Sequence, residues 1–271
     1  MKVHENHELK NNLLPFYFKG RTLEANNSSL YSNWHENIEL LYFTRGTVAV
    51  FANSKRHVLR EGEIFAIGAN SLHSIAASDV DVEYYYLIVD RSFCTENGFD
   101  SSLLGLDCKI DSDKMRALFC RLIDGYKNPG APFSTLLIRN TVLEVLAEIC
   151  LNHAQILPTA DKPSRISTSI KKAIALIDAS FDSDLSLDGT ADFVGLDKFY
   201  FSHEFKKYTG QSFVKYLNSV RCKNAKALLC HSNLSISEIG KKCGFQNRSY
   251  FAKTFLKYEA VTPMEYRKKH V

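Results

Sequence analysis

Residues able to read a nucleic acid occur twice near the C-terminal end. Arg248, Ser249, Ala252 and Lys253 sit at helical spacing on the face opposite Phe251 and Phe255. Arginine and lysine reach the acceptor edge of guanine, while serine is less selective. Fifty residues earlier, Phe199, Ser202, His203 and Lys206 face away from Phe201 and Phe205 in the same way. Lys206, Lys207, Lys241 and Lys242 suit phosphate contacts, which supply affinity without sequence information. One polar helix face is ordinarily just solvated. Two matching faces in a basic segment argue for a shared partner, double-stranded DNA.

The elements that carry them form a repeat. Tyr200-Phe201, Phe205 and Tyr208 return as Tyr250-Phe251, Phe255 and Tyr258, each 50 residues on, and Leu187 and Ala191 return as Ile236 and Gly240, 49 on. A fixed offset marks a duplicated supersecondary unit. Each copy reads as helix, glycine turn, helix: Leu187–Val194, Gly195, Lys198–Tyr208, then Ser235–Cys243, Gly244, Asn247–Glu259. Glycine supplies the backbone freedom that a helix-turn-helix corner needs. Asp197 and Asn247 are N-cap types for the second helices. Between the copies, Gln211–His231 lacks Gly and Pro and predicts one helix about 30 Å long. That is close to the roughly 34–36 Å between successive major grooves on one face of DNA.

Charge divides the chain. Residues 165–271 hold 18 Lys/Arg against 10 Asp/Glu, a net of +8, while residues 1–164 carry a net of −4. The fold class expected is α+β in two domains: 1–157, a linker at 158–166 in PTADKPSR, and 167–271 with helix-turn-helix units at about 185–208 and 234–259. The N-terminal part is strand-rich (IELLYF, TVAVFA, EIFAIG, VEYYYLIV), which predicts a β-barrel or sandwich. Helices at Lys114–Gly125 and Ser134–His153 flank it. Leu136, Val142, Leu143, Leu146 and Ile149 form an apolar stripe that either packs on the barrel or extends into a homodimer contact. The seven cysteines form no C-x-x-C pair, which predicts neither a zinc framework nor disulfides. No apolar run approaches the ~20 residues of a membrane helix and the N-terminus lacks an apolar leader, so a cytoplasmic protein without a membrane partner is expected.

Segments GLDKFYFSHEFKKYTGQSFVKYLNSVRCKNAKALL and SISEIGKKCGFQNRSYFAKTFLKYEAVTPMEYRKKH resemble the AraC/XylS family of bacterial transcription regulators over residues 169–269. Gly244-Phe245, Ser249-Tyr250-Phe251, Phe255, Thr262-Pro263 and Tyr266-Arg267 match its second-unit signature. The resemblance implies promoter binding, usually as an activator that engages RNA polymerase, with an N-terminal effector sensor. It also implies base contacts from Phe199, Ser202 and His203, and from Arg248, Ser249, Ala252 and Lys253. The sequence departs from the pattern at Thr190, Gly189, Gly240, Leu256 and Ala260.

WHENIELLYFTRG and EGEIFAIGANSLHSI resemble the two cupin motifs. His35, Glu39 and His73 fall where metal-binding cupins hold their ligands, and Asn33 replaces a further His. The expected reading is a sensor without metal or cofactor, not an enzyme. It would bind a small molecule, a sugar being the common effector of such regulators, among Trp34, His35, Glu39, Tyr42, Arg45, His73, Tyr84 and Tyr86. A metal-dependent cupin enzyme or metal sensor with a DNA-binding appendage is the alternative, and a barrel that only dimerises is a third.

Overall fold

The computed structural model describes residues 14–23, 32–77, 80–157 and 164–270. The N-terminal part holds β1 (Phe16–Leu23), β2 (Ile38–Arg45), β3 (Thr47–Ala52), β4 (Lys55–Arg60), β5 (Ile64–Ile67), β6 (His73–Ala77), β7 (Val82–Val89), α1 (Arg91–Glu96), β8 (Leu104–Gly105), β9 (Cys108–Ile110), α2 (Asp113–Lys127), α3 (Ser134–Asn152) and β10 (Gln155–Ile156). Five strands form one antiparallel sheet in the order β1-β7-β2-β5-β9, and three form another in the order β4-β3-β6. Successive side chains on a strand point to opposite faces. Leu41 and Phe43 of β2 therefore join Val48, Val50, Phe65 and Tyr84 between the sheets. Ile38 and Leu40 face outward against α2 and α3, among Phe119, Leu122, Val142 and Leu146.

The large sheet is thus covered on both sides, which is why β2 reads as an almost unbroken apolar run. Such a strand does not reveal its register in sequence. The stripe on α3 divides. Val142, Leu146 and Ile149 are buried in the outer cluster, whereas Leu136 and Leu143 lie on the opposite side, exposed with Phe133, Leu137 and Leu151.

The C-terminal part is helical: α4 (Arg165–Ser180), α5 (Leu187–Phe193), α6 (Lys198–Thr209), α7 (Phe213–His231), α8 (Ile236–Lys242), α9 (Arg248–Glu259) and α10 (Pro263–His270). Helix α4 begins inside the expected linker, of which 158–163 lie outside the described residues. The N-terminal half of α7 (Phe213, Tyr216, Leu217, Val220) packs into the core of the first unit with Phe201 and Phe205. Its C-terminal half (Cys222, Ala225, Leu229) enters the core of the second with Phe251 and Phe255. One continuous helix therefore belongs to both units. The two domains also touch: Leu72 is fully buried in the first unit's core, and the Trp34 ring packs against it.

Candidate nucleic-acid interface and a buried His-Glu-His cluster

Each second helix starts from the same device. The Asp197 carboxylate accepts from the amides of Phe199 and Tyr200 at 2.9 and 3.0 Å, and Asn247 Oδ1 accepts from Ser249 and Tyr250 at 2.8 and 3.2 Å. These bonds satisfy amides that a helix start would otherwise leave open. The preceding corners need positive φ, at Gly195 (+67°) and Gly244 (+80°). At Gly244 there is also no room, since a Cβ would lie 2.6 Å from the Phe181 carbonyl oxygen. Gly240 lies where a Cβ would meet the Phe251 ring at 2.9 Å, so its departure from the family pattern lets α9 sit close on α8. Thr190 is buried, and its hydroxyl donates to the Ser186 carbonyl at 2.8 Å, so it brings no unsatisfied polar atom into the core.

With Phe201, Phe205, Phe251 and Phe255 turned inward, the expected reading faces point outward. Phe199 is 79% exposed. Ser202 and Ala252 are half-buried, and His203, Arg248, Ser249 and Lys253 are exposed. Among the described residues, Arg248, Lys253, Lys206, Lys241 and Lys242 lie in no ion pair within 4 Å. Lys207 differs, because its ammonium lies 3.9 Å from Glu204. His203 Nδ1 is 3.0 Å from the same carboxylate, so its ring is oriented by its own helix. Sequence reasoning did not single out this buried Glu204. Its i, i+3 spacing to Lys207 was the available signal.

The two units are braced through α7. The Arg221 guanidinium donates to the carbonyls of Phe181 (2.8 Å) and Ser183 (2.9 Å) and lies over the Phe245 ring. Asn218 donates to the Tyr250 hydroxyl at 2.8 Å, and the Tyr258 hydroxyl donates to the Lys215 carbonyl at 2.8 Å. Part of the second-unit signature is equally structural. Arg267 donates to the carbonyls of Leu229 and Leu234, while Thr262 and Glu265 cap α10 reciprocally with Pro263 at its first position.

In the N-terminal domain the structure separates the expected pocket residues. His35, Glu39 and His73 come together, buried to 1%, 8% and 6% exposure. Their side chains meet at one carboxylate oxygen, Glu39 Oε2, with His35 Nε2 at 3.1 Å and His73 Nε2 at 3.0 Å. Burial pushes the Glu39 carboxyl up, but the hydrogen bonds to His35 and His73 outweigh it and hold the group well below the ordinary carboxylate range. Tyr84 and Tyr86 also lie between the sheets. Three expected residues do not. Tyr42 is on the outer face, 5.2 Å from the Phe119 ring, because it is one residue out of phase with Leu41 and Phe43. Arg45 is exposed at the strand end and pairs with Glu83 at 3.2 Å. Trp34 turns to the C-terminal domain, with Lys171 over its ring at 5.6 Å. A cleft of about 410 Å³, which sequence reasoning missed, lies beside the sheet edge and includes Arg21, Thr22, Thr44, Glu83 and Lys127. Its residues come from four separate elements, β1, β2, β7 and α2.

Comparison with known proteins agrees with this division. Residues 17–138 match the family described as AraC-like ligand binding domain, and residues 190–269 match the family described as Helix-turn-helix domain. The chain is 34% identical over 160 residues to the regulatory protein PocR of Salmonella typhimurium, covering 54% of this chain and 53% of that protein. It thus spans about half the length of PocR. It is 26% identical over 251 residues to the HTH-type transcriptional activator RhaR of Escherichia coli, covering 86% of this chain and 85% of the relative. Among solved structures, the C-terminal domain of AraT, a response regulator from Geobacillus stearothermophilus, is 33% identical over 39% of this chain and 88% of that one, with a TM-score of 0.38. ToxT from Vibrio cholerae covers 95% of this chain and 99% of its own at 14% identity, with a TM-score of 0.44. With a ligand-binding family on its sheet domain and two helix-turn-helix units on α7, the chain belongs to the AraC family of DNA-binding transcription regulators.

Proposed function

We propose that this regulator is an effector-responsive activator of metabolic genes, carbohydrate-utilisation genes being the favoured class, and that it acts on promoter DNA as a cytoplasmic homodimer without catalysis of its own. The observation that carries the reading is the pair of outward recognition faces on α6 and α9, on which Lys206, Arg248 and Lys253 lie in no ion pair among the described residues, held on one continuous α7. Arg248, Lys253 and Ser249 read bases in one groove, with Ala252 admitting a thymine methyl group. Phe199, Ser202 and His203 read bases in the next. In a neutral His203 whose Nδ1 donates to Glu204, the exposed Nε2 is an acceptor, suited to the amino groups of adenine or cytosine. Lys206, Lys207, Lys241 and Lys242 hold phosphates, Lys207 at the cost of its contact with Glu204.

The effector enters the sheet domain. The cleft beside Arg21, Thr22, Thr44 and Glu83 offers donors and acceptors matched to a hydroxyl-rich molecule such as a sugar, with Tyr84 and Tyr85 beside it. The exposed face of α3, with Phe133, Leu136, Leu137, Leu143 and Leu151, supports association with a second copy. RNA polymerase is the partner once the dimer is on the promoter. The reading is tested by selecting bound fragments from genomic DNA with the full chain at physiological salt. Enrichment of a few upstream regions sharing a repeated motif supports it. Binding without sequence preference overturns it.

A further inference from the structure

The two helix-turn-helix units share a frame but not a charge. The first, over 187–209, carries three Lys against four Asp or Glu, a net of −1. The matching stretch of the second, 236–259, carries five Lys or Arg against two Glu, a net of +3. Asp188 and Asp192 of α5 stand where α8 has Ser237 and Lys241, 49 residues on. Asp197 and Glu204 stand where the second unit has Asn247 and Thr254, 50 residues on. Every carboxylate of the first unit is thus neutral or basic in the second.

These carboxylates engage the cations of their own unit. The Asp188 carboxylate holds the Lys198 ammonium at 2.8 Å, and Glu204 lies against both His203 and Lys207. By the same offset of 50, Lys198, His203 and Lys207 correspond to Arg248, Lys253 and Lys257. Those three are exposed and lie in no ion pair among the described residues. The carboxylates of the second unit are turned to its own framework: Glu238 accepts from the Ser235 amide at 2.7 Å, and Glu259 holds Lys226 of α7 at 2.8 Å. One cation is exchanged in the opposite sense, Lys206 for Leu256.

Phosphate affinity comes from counterions released as cations meet the backbone, so a neutralised cation contributes little. An exposed pair such as Asp188–Lys198 opens at small cost, but its carboxylate stays beside the phosphates and repels them. Asp192 is exposed where the second unit presents a lysine. The first unit therefore meets DNA with one cation outside an ion pair, Lys206, and the second with Lys241, Lys242, Arg248, Lys253 and Lys257.

We propose that the units do unequal work on DNA: the α8–α9 unit supplies most of the salt-dependent grip, with Lys257 as a further phosphate contact, while Asp188 and Asp192 hold down the affinity of the α5–α6 unit. The inference rests on the regulator reading. It also gives the domain contact a purpose, since the sheet domain packs, through Leu72 and Trp34, on the unit that DNA holds more weakly.

The test measures the affinity of the full chain over a salt series, on its selected operator and on unrelated duplex of equal length, with circular dichroism confirming the fold of each variant. The substituted side chains are all exposed. Lys257→Gln is expected to lower the slope of log affinity against log salt by about 0.9, and Lys241→Gln with Lys242→Gln by about 1.8. Lys198→Gln leaves the slope unchanged. Asp188→Asn with Asp192→Asn is expected to raise affinity roughly three- to tenfold. Asp192→Lys, which installs the residue type of Lys241, steepens the slope by about 0.9. Equal slope losses for Lys198→Gln and Lys257→Gln overturn the inequality. Unchanged or lower affinity in the folded aspartate variants overturns the role given to Asp188 and Asp192. A wild-type chain that binds its operator no better than unrelated duplex overturns the regulator reading instead, and the slopes on either DNA still decide the inequality.

Discussion

At the residue scale, the side chains proposed to read sequence differ from those proposed to hold phosphate in what their loss would do. Arg248 is exposed and unpaired among the described residues. Replacing it with alanine is expected to cost about 1–3 kcal/mol on the cognate site and to relax preference at one base position. Competition binding against a panel of single-base variants checks this. Uniform weakening across the panel would move Arg248 to the phosphate class. Lys206→Ala is expected to weaken all sequences alike and to lower the slope of log affinity against log salt by about 0.9. Leu256 occupies the position in α9 that Lys206 occupies in α6, and it is 45% exposed. Leu256→Lys should therefore strengthen binding and steepen the same slope by about 0.9. A salt titration showing no change for either variant would remove that position from the interface. These residue types and their offset of 50 were legible in the sequence. The engagement of His203 and Lys207 with Glu204 was not, because it depends on side-chain direction within one helical turn.

At the scale of elements, the helices given bounds from the sequence agree with the structure to within two residues, whereas α1, α4 and α10 were not delimited. Caps and glycine corners are local, so Asp197, Asn247, Gly195 and Gly244 announce themselves without tertiary information. Gly210 ends α6 at φ +77°, and Ala260 ends α9 in the same left-handed region at φ +56°. An L-residue there carries backbone strain that glycine does not. Ala260→Gly relieves this, while glycine's extra freedom in the unfolded chain offsets part of the gain. The net stabilisation expected is roughly 0.5–1 kcal/mol, read as a higher denaturant midpoint with unchanged slope. A lower midpoint would mean that Ala260 makes contacts worth more than its strain. The strands were harder to read. Their existence followed from β-branched and aromatic runs, but β2 is buried on both faces. Alternation therefore gave no phase, and Tyr42 was expected on the wrong side. The α3 stripe was borne out only in part, with Val142, Leu146 and Ile149 buried and Leu136 and Leu143 exposed, for a related reason. It is apolar over more than half its circumference, so sequence did not show where its inner face ends.

At the scale of the molecule, the separation into an acidic sheet domain and a basic helical domain was visible in charge and periodicity alone. The junction was not. Trp34, Leu72, Phe51 and Gly210 are brought together from distant segments, and nothing in their local sequence marks them. Their contact gives the sensor a physical route to the first DNA-binding unit, since anything that shifts β3 or β6 moves the surface on which α6 rests. Association through α3 is the other whole-molecule expectation. Leu136→Glu with Leu137→Glu should convert a dimer to a monomer in sedimentation while leaving the fold intact, because both residues are more than half exposed. A wild-type chain that sediments as a monomer at micromolar concentration would contradict it.

The central claim is that both units engage DNA together, in successive grooves on one face. Helix α7 has 19 residues, and at 1.5 Å each it spans about 28 Å between the two cores. The most direct test is hydroxyl-radical footprinting of the full chain on its selected operator, repeated with Arg248→Ala and with His203→Ala. The account predicts two protected segments about one helical turn apart, roughly 10 base pairs, each weakened by its own variant. A single protected segment that responds to only one of the two variants would contradict it.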